Sequence, residues 1–168
     1  KTESAGQVEA LRDALAPGTA IIALIETVAG LAAAEGIAGT ADRIAFGSVD
    51  FAKDMGCSHQ RDVLLPIRSR LVKAARLAGL PPPLDGVTVA IGDAQATTDD
   101  AVHAREIGFG GKLLIHPVQI DPARAAFCPS PEEVAWAERV LAGGSDGAAV
   151  IIDGAMVDAP VISRARRI

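Results

Sequence analysis

Four short apolar runs in this chain each end in a side chain that can do acid–base or metal chemistry. Three of these residues are carboxylates and one is a histidine: Glu26, Asp50, Asp93 and His116. Parallel α/β proteins place their chemistry at the carboxyl ends of their strands. Ionisable groups at these positions therefore indicate an active site along one rim of a sheet, since a purely structural layer does not need them.

Glu26 and Asp50 form the most informative pair, because they end consecutive runs, residues 20–26 and 43–50. Neighbouring parallel strands lie about 4.8 Å apart, so the two carboxylates could share one hard cation. Mg²⁺ is typically held by one or two carboxylates, with waters and substrate oxygens completing its shell. It would polarise a carbonyl and stabilise an enolate. The alternative is structural: Glu26 caps the next helix and Asp50 turns a loop.

The elements that carry these residues alternate along the chain. Runs that are apolar on both faces predict buried parallel strands ending at the four residues above. Helices are predicted at 5–15, 29–37 and 64–78, from Thr97 or Thr98 to Gly108, from Ser130-Pro131 onward, and after Pro160. The polar segment 51–62 is predicted to be an active-site loop, and Asp153-Gly154 predicts the turn of a hairpin.

Strand–helix alternation predicts an α/β fold with a parallel sheet and right-handed crossovers. A complete (βα)₈ barrel typically needs about 250 residues, whereas this chain has 168 residues and four strand–helix units. The order therefore predicts half a barrel or a small open sheet. Neither a G-x-G-x-x-G motif after a strand nor a G-x-x-x-x-G-K motif occurs, which disfavours a nucleotide-binding doubly wound fold.

Composition excludes several classes of partner. The net charge of −5 argues against nucleic acid, and no apolar run reaches membrane-spanning length. Cys57 and Cys128 lie far apart without a C-x-x-C pattern, which is typical of reduced thiols in a cytoplasmic protein. We therefore expect a cytoplasmic protein that binds neither nucleic acid nor membrane.

A further signal comes from seven motifs that follow one another along nearly the whole chain. They lie at residues 23–31, 43–50, 68–76, 85–87, 108–120, 129–137 and 153–160, and include Ala-Leu-Ile-Glu-Thr, Arg-Ile-Ala-Phe-Gly-Ser-Val-Asp and Gly-Gly-Lys-Leu-Leu-Ile-His-Pro. Together they resemble the citrate lyase beta-subunit family of the HpcH/HpaI aldolase superfamily. The resemblance implies the C-terminal half of a TIM (βα)₈ barrel, strands five to eight, in residues 1–145. A hairpin–helix extension follows in residues 146–168.

The resemblance also implies an activity. It predicts an Mg²⁺-dependent carbon–carbon lyase that cleaves or forms 3-hydroxy-acyl thioesters of CoA or an acyl carrier, such as citryl-, malyl- or citramalyl-CoA, through an enolate. Glu26 and Asp50 match the family's metal ligands. Asp158 matches a tail aspartate that acts as general acid/base in a neighbouring subunit's site, within a homo-oligomer (trimer or hexamer). The family's first strands and a substrate-gripping arginine have no counterpart here, so we expect this chain alone to be inactive.

Other interpretations of these residues stay open. Asp158 precedes a proline-started helix and could simply be a turn residue. His116 and Asp93 are candidate substrate contacts, but His116 could instead bond a neighbouring loop, and the run before Asp93 departs from the family's polar pattern. Arg68, Arg70 and Arg76 are expected to be solvated or salt-bridged on their helix. The alternative functions are a pyruvate-type class II aldolase acting on free oxo-acids, and a non-catalytic fragment.

Overall fold

A parallel sheet organises the first part of the chain. The computed structural model describes residues 1–143, 149–152 and 154–168, and within them the main sheet has the order β1-β2-β3-β4. These strands are β1 (Ile22–Ile25), β2 (Arg43–Phe46), β3 (Leu84–Asp85) and β4 (Gly111–Lys112). Each neighbouring pair is parallel, so all four carboxyl ends meet at one rim. The predicted α/β fold with a parallel sheet is confirmed.

Helices connect and follow these strands. Their bounds are α1 (Ala5–Ala14), α2 (Val28–Ala32), α3 (Ala34–Ala38), α4 (Ser48–Met55), α5 (Arg61–Leu77), α6 (Ala94–Glu106), α7 (Ile120–Phe127), α8 (Pro131–Gly143) and α9 (Ala159–Ala165). The helices predicted at 5–15, at 64–78, after Ser130-Pro131 and after Pro160 are all present. The helix predicted at 29–37 is instead two short helices that meet at Ala33, whose backbone (φ −93°, ψ 7°) breaks the regular geometry.

The second strand is shorter than predicted, and Asp50 does not end it. β2 ends at Phe46, and residues 48–55 form α4, where the end of the strand (48–50) and the beginning of the active-site loop (51–55) were predicted. Gly47 leaves the strand geometry (φ −84°, ψ 71°), and the helix then buries Ser48, Phe51 and Ala52. Ser48, Phe51 and Ala52 have helical spacing, so α4 buries them on one face. A short apolar run can be buried as a helix or as a strand, which is why the predicted strand was too long.

The third and fourth strands were also misplaced. β3 precedes the predicted run at 87–93, and β4 ends at Lys112, before the apolar residues that lead to His116. Asp93 caps α6 by accepting from the Ala96 N–H at 2.9 Å, so the predicted caps Thr97 and Thr98 are wrong. Three apolar side chains of the two runs, Val89, Ile91 and Ile115, are exposed. The strand prediction assumed that these side chains are buried on both faces of the sheet, and in this structure they are not.

The core of the first unit lies between the sheet and its helices. Phe46 and Phe51 are fully buried with their rings edge to face at 5.5 Å, and Ile25, Ile44 and Leu64 are buried with them. Aromatic pairs in this geometry stabilise a core beyond the area they bury. The ends of β1 and β2 therefore pack against this core, which positions the residues that follow the two strands. No helix in the described residues is both long and apolar enough to cross a membrane.

By its internal contacts the chain divides into two compact units, Lys1–Phe127 and Cys128–Ile168. In the second unit, α8 begins with a capping box in which the Ser130 Oγ accepts from the Glu133 N–H at 3.1 Å. β5 (Val150–Ile152) and β6 (Ala155–Val157) pair antiparallel, so the predicted hairpin is present, although Asp153 lies outside the described residues. The sequence analysis placed a boundary between residues 145 and 146, where the half barrel would end and the extension begin. The division by internal contacts does not test that boundary, which stays a prediction.

Candidate metal and substrate site

The two carboxylates singled out from the sequence lie at the same rim of the sheet. Glu26 directly follows β1, and Asp50 lies in the first turn of α4, just after β2. β1 and β2 are in parallel register with Ile25 opposite Phe46, so both residues leave the sheet from the same end. Both line two cavities, of about 450 Å³ and about 410 Å³. The structure therefore brings Glu26 and Asp50 together, although Asp50 reaches the rim from a helix.

The first cavity is lined by polar and charged residues: Lys1, Glu26, Thr27, Asp50, Lys53 and Asp54. Asp54 is already engaged, because its Oδ2 accepts from the Val28 N–H at 2.8 Å. Within the described residues, no group of three or more acidic, histidine or cysteine side chains comes together in a metal-binding arrangement. Two carboxylates facing an open cavity fit Mg²⁺, which commonly takes a couple of protein carboxylates and fills its octahedron with water and substrate oxygens.

The second cavity has a different lining, although Glu26 and Asp50 belong to it as well. Its other walls are mainly apolar side chains from the strands and the segments after them: Leu24, Phe46, Val49, Val87, Val89, Leu113 and Ile115. Val49, Val89 and Ile115 are exposed in this structure, so the cavity is open to solvent. The arrangement places two carboxylates that could hold a cation beside an apolar surface that could contact the apolar part of a substrate.

A buried ion pair lies beneath this rim, and the sequence prediction missed it. Arg68 of α5 donates from Nε to the Asp85 Oδ1 at 2.8 Å, and both side chains are almost fully buried. The Arg68 guanidinium also lies 5.7 Å from the centroid of the Phe46 ring. The expectation of a solvated or helix-surface role is therefore wrong for Arg68. Arg70 and Arg76 are exposed.

A second polar cluster joins the segment after β3 to β4, α5 and α6. The Thr88 Oγ1 donates to Asp100 at 2.7 Å and accepts from Lys112 at 2.8 Å, while Arg61 donates to the other Asp100 oxygen at 2.9 Å. Burial acts to raise the pKa of Asp100, but the hydrogen bonds from Thr88 and Arg61 and the charge of Lys112 outweigh it and lower that pKa. Burial lowers the pKa of Lys112 despite the nearby carboxylates. The sequence prediction missed this cluster, because its members come from four different segments of the chain.

The remaining predicted site residues all act as helix caps in this structure. Asp93 caps α6. The His116 Nδ1 accepts from the Val118 N–H at 3.2 Å and begins the 3₁₀ turn Pro117–Gln119. In the second unit, the Asp158 Oδ1 accepts from the Val161 N–H at 3.3 Å and caps α9. Of the five residues proposed for the site, Glu26 and Asp50 line common cavities, whereas the other three each cap a helix.

Comparison with known proteins relates this chain to one family. A model of the HpcH/HpaI aldolase/citrate lyase family matches residues 6–117. The citrate lyase subunit beta-like protein of Mycobacterium tuberculosis is 37% identical over 98% of this chain, and the chain covers 62% of it. Citrate lyase subunit beta of Escherichia coli is 35% identical over 89% of the chain, which covers 53% of that protein. The chain thus spans less than two thirds of the length of these relatives.

Among solved structures, the chain is similar to the crystal structure of the protein CitE from Mycobacterium tuberculosis in complex with magnesium, acetoacetate and coenzyme A. The two share 36% sequence identity with a TM-score of 0.84, and the match covers 99% of this chain and 64% of the other. The two proteins are thus similar in sequence as well as in fold.

Proposed function

Because the chain belongs to the HpcH/HpaI aldolase/citrate lyase family, we propose that it is part of an Mg²⁺-dependent carbon–carbon lyase. The enzyme cleaves or forms 3-hydroxy-acyl thioesters of CoA or an acyl carrier, with citryl-, malyl- and citramalyl-CoA as the candidate substrates. The observation that carries this proposal is that Glu26 and Asp50 line the same two cavities, one polar and one mainly apolar. The magnesium and coenzyme A bound to the similar CitE structure support the choice of metal and of thioester.

We further propose that the described sheet is half of a (βα)₈ barrel. The outer edge of β1 already accepts a backbone hydrogen bond, from the Thr2 N–H to the Leu24 carbonyl at 2.9 Å, as a preceding strand would make it. Ile22, Val89 and Ile115 are large apolar residues left exposed. Strands from the rest of a barrel would cover these side chains and close both edges of the sheet. The greater length of the relatives is consistent with this arrangement.

Within this proposal the residues of the chain have separate roles. Glu26 and Asp50 hold the cation, which supplies charge stabilisation when the substrate becomes an enolate. Once the remaining strands of the barrel cover it, the apolar wall of the second cavity would keep water from the reacting carbons. In cleavage, a base takes the proton of the 3-hydroxyl group, the carbon–carbon bond breaks, and an acid returns a proton to the enolate carbon. Pre-oriented groups of this kind lower the barrier because little reorganisation is needed during the reaction.

Asp158 is our candidate for a proton-transfer residue, acting in the site of a neighbouring subunit of a homo-oligomer. The support is its motif, Met156-Val157-Asp158-Ala159-Pro160, and the hairpin of β5 and β6 that leads to it. General acid–base catalysis by a positioned side chain contributes about 10²–10⁴-fold in rate. Asp158 also caps α9, so this proposal gives one carboxylate a structural and a chemical task.

The test uses the complete protein that carries this chain, freed of metal by a chelator and then supplied with Mg²⁺. We expect Mg²⁺-dependent turnover of at least one 3-hydroxy-acyl-CoA. Mass spectrometry of the thioester products measures this turnover. Glu26→Gln and Asp50→Asn should abolish that turnover. Asp54→Asn is the matched control, because it lies in the same cavity and asparagine can still accept from Val28.

Two outcomes would replace the proposal with its alternatives. Turnover of free oxo-acid aldols without turnover of any thioester would identify a pyruvate-type class II aldolase. Mg²⁺ binding by the complete protein without turnover of either substrate class would indicate a non-catalytic protein that retains the metal-site residues.

A further inference from the structure

Ser48 and His59 are joined across the segment that carries Asp50. Ser48 is the first residue of α4, two positions before Asp50, and His59 lies between α4 and α5. The His59 Nε2 is 2.9 Å from the Ser48 Oγ, within hydrogen-bond distance. The chain that leaves the end of α4 therefore returns to contact the beginning of the same helix.

Ser48 is also held from its other side. Gly86, directly after β3, packs so closely on Ser48 that a Cβ at position 86 would collide with the Ser48 Cβ and Oγ. The neighbouring Asp85 is fixed by its buried ion pair with Arg68. Ser48 is thus enclosed between an anchored backbone on one side and the His59 ring on the other, and only 1% of its surface is exposed.

This enclosure decides between two roles for the pair. A serine within hydrogen-bond reach of a histidine is the arrangement of an activated nucleophile, and a thioester substrate would offer a carbonyl to attack. Ser48 borders the cavity that Glu26 and Asp50 line, but only 1% of its surface is exposed and Gly86 packs against its Cβ and Oγ, so its hydroxyl is held within the protein rather than presented to a carbonyl. The remaining role is to hold the first turn of α4 in place.

Asp50 needs such support because nothing else orients it. Its side chain is exposed, and in the part of the chain that the structure describes it makes no hydrogen bond or ion pair. Its direction therefore depends on the backbone of the first helical turn, which begins at Ser48. A shift of the turn by a fraction of an ångström would move the Asp50 carboxylate relative to Glu26.

We propose that His59 is a positioning residue that, through Ser48, fixes the first turn of α4 and so aims the Asp50 carboxylate at a divalent cation shared with Glu26. This inference rests on the proposed function, because it assumes that the cation binds at these carboxylates. His59 acts through one hydrogen bond and does not touch the substrate. The geometry requires only a side chain of similar reach with a polar end, so glutamine can replace histidine where leucine cannot.

The experiment measures Mg²⁺ affinity of the complete protein by calorimetric titration, together with the thermal midpoint of the metal-free protein. A hydrogen bond makes a net contribution of about 0.5–1.5 kcal/mol to the stability of the arrangement it holds. If the Mg²⁺ site depends on this bond, its loss corresponds to a factor of about 2–12 in Mg²⁺ affinity. We expect His59→Leu and Ser48→Ala each to weaken Mg²⁺ binding within this range. The double variant should be no weaker than either single variant, because both remove the same contact. His59→Gln should retain near wild-type affinity, and His103→Leu is the matched control outside the site.

Each contrary result has a distinct meaning. If wild type binds Mg²⁺, Glu26→Gln abolishes binding and His59→Leu leaves it unchanged, the inference is overturned while the proposed function stands. If His59→Gln is as weak as His59→Leu, a hydrogen bond is not what matters and the inference is overturned as well. If Ser48→Ala abolishes thioester turnover without weakening Mg²⁺ binding, Ser48 acts in the reaction itself and the inference is overturned. If wild type does not bind Mg²⁺, both the inference and the metal-dependent function fail.

Discussion

Gly47 and Glu26 are in such close contact that position 47 cannot carry a side chain while Glu26 keeps its place. A Cβ built on Gly47 would lie 2.5 Å from the Glu26 Cβ and 2.9 Å from its Oε2. Gly47 also donates from its N–H to the Ile25 carbonyl at 2.8 Å, which ties the end of β2 to the end of β1. The carboxylate of Glu26 therefore rests against the backbone of the neighbouring strand end, and its position depends on the absence of one methyl group.

Gly47→Ala should displace Glu26 and impair the site more than the fold. The backbone at position 47 (φ −84°) suits any residue, so the expected damage comes from the contact and not from backbone strain. A misplacement of about 1 Å can cost about 10²-fold in turnover, and we expect a loss of that order with weaker Mg²⁺ binding. Steady-state kinetics and Mg²⁺ titration measure it. Gly6→Ala in α1, where nothing lies within 4 Å, is the control, and it should raise stability by up to about 1 kcal/mol.

Asp158→Asn should separate the proposed chemistry of this residue from its role as a helix cap. Asparagine is as good an N-cap as aspartate, so α9 should remain capped and stability should hardly change. Turnover should fall by about 10²–10⁴-fold, the usual contribution of a general acid or base, while Mg²⁺ binding stays close to wild type. Kinetics and Mg²⁺ titration on the complete protein test this. Asp158→Ala, in contrast, should also lose about 1 kcal/mol of stability through the missing cap.

Complementation tests whether Asp158 acts across a subunit interface. Asp158→Asn protein is expected to keep little activity and Glu26→Gln protein none, but mixed oligomers would contain some sites with both residues intact. Activity should therefore reappear after subunit exchange. Absence of activity in a mixture shown to contain mixed oligomers would contradict action in trans.

Arg68→Met should be strongly destabilising because it leaves Asp85 buried without its partner. Breaking a buried pair by removing one member costs about 3–5 kcal/mol, and the Arg68 and Asp85 side chains are only 8% and 3% exposed. Chemical unfolding measures the change. The control is Arg12→Met, which breaks the exposed pair with Asp42 and should cost about 0–1 kcal/mol. Equal losses for the two variants would show that burial does not govern the Arg68 pair.

His103→Leu should make the protein less sensitive to mild acid without lowering its stability at pH 7. The Nε2 of His103 is buried and has no hydrogen-bond partner in the described residues, and an unsatisfied buried polar group costs about 1–3 kcal/mol. Burial, followed by the charges of Arg61 and Arg68, lowers the pKa of His103 from 6.5. Protonation of His103 therefore costs the folded protein nothing well above pH 6.5, and it destabilises the fold progressively as the pH falls from 6.5 through the lowered pKa.

Unfolding free energies of wild type and His103→Leu between pH 8 and 5 give the comparison. The stability of wild type should fall more steeply than that of the variant on the acid side. Parallel curves would mean that His103 titrates alike in the folded and unfolded protein. His59, whose pKa is lowered by burial and by Arg68, is present in both proteins and cancels in the comparison.

Local patterns in the sequence predicted the elements that depend only on residues close together in the chain. Ser130 and Glu133 predicted the start of α8, and Pro160 the start of α9, because capping depends on neighbours within one turn. The apolar run before Glu26 predicted β1 correctly. The alternation of strands and helices predicted the parallel sheet, since parallel strands need crossover connections. Glu26 was therefore placed at the rim by sequence alone.

Tertiary structure decided where each strand ends and what surrounds the site. A strand lasts only as long as a neighbour supplies backbone partners, so the apolar residues from Val87 to Ile91 lie outside the sheet although their pattern predicts a strand. The pairs Arg68–Asp85 and Ser48–His59 join residues far apart in sequence, and residue type alone does not encode which side chains meet. The close contacts of Gly47 with Glu26 and of Gly86 with Ser48 likewise exist only once the strands are side by side. Sequence thus determined which groups could do chemistry, whereas packing between distant segments determined how they are held, because hydrogen bonds and steric contacts depend on distances in space.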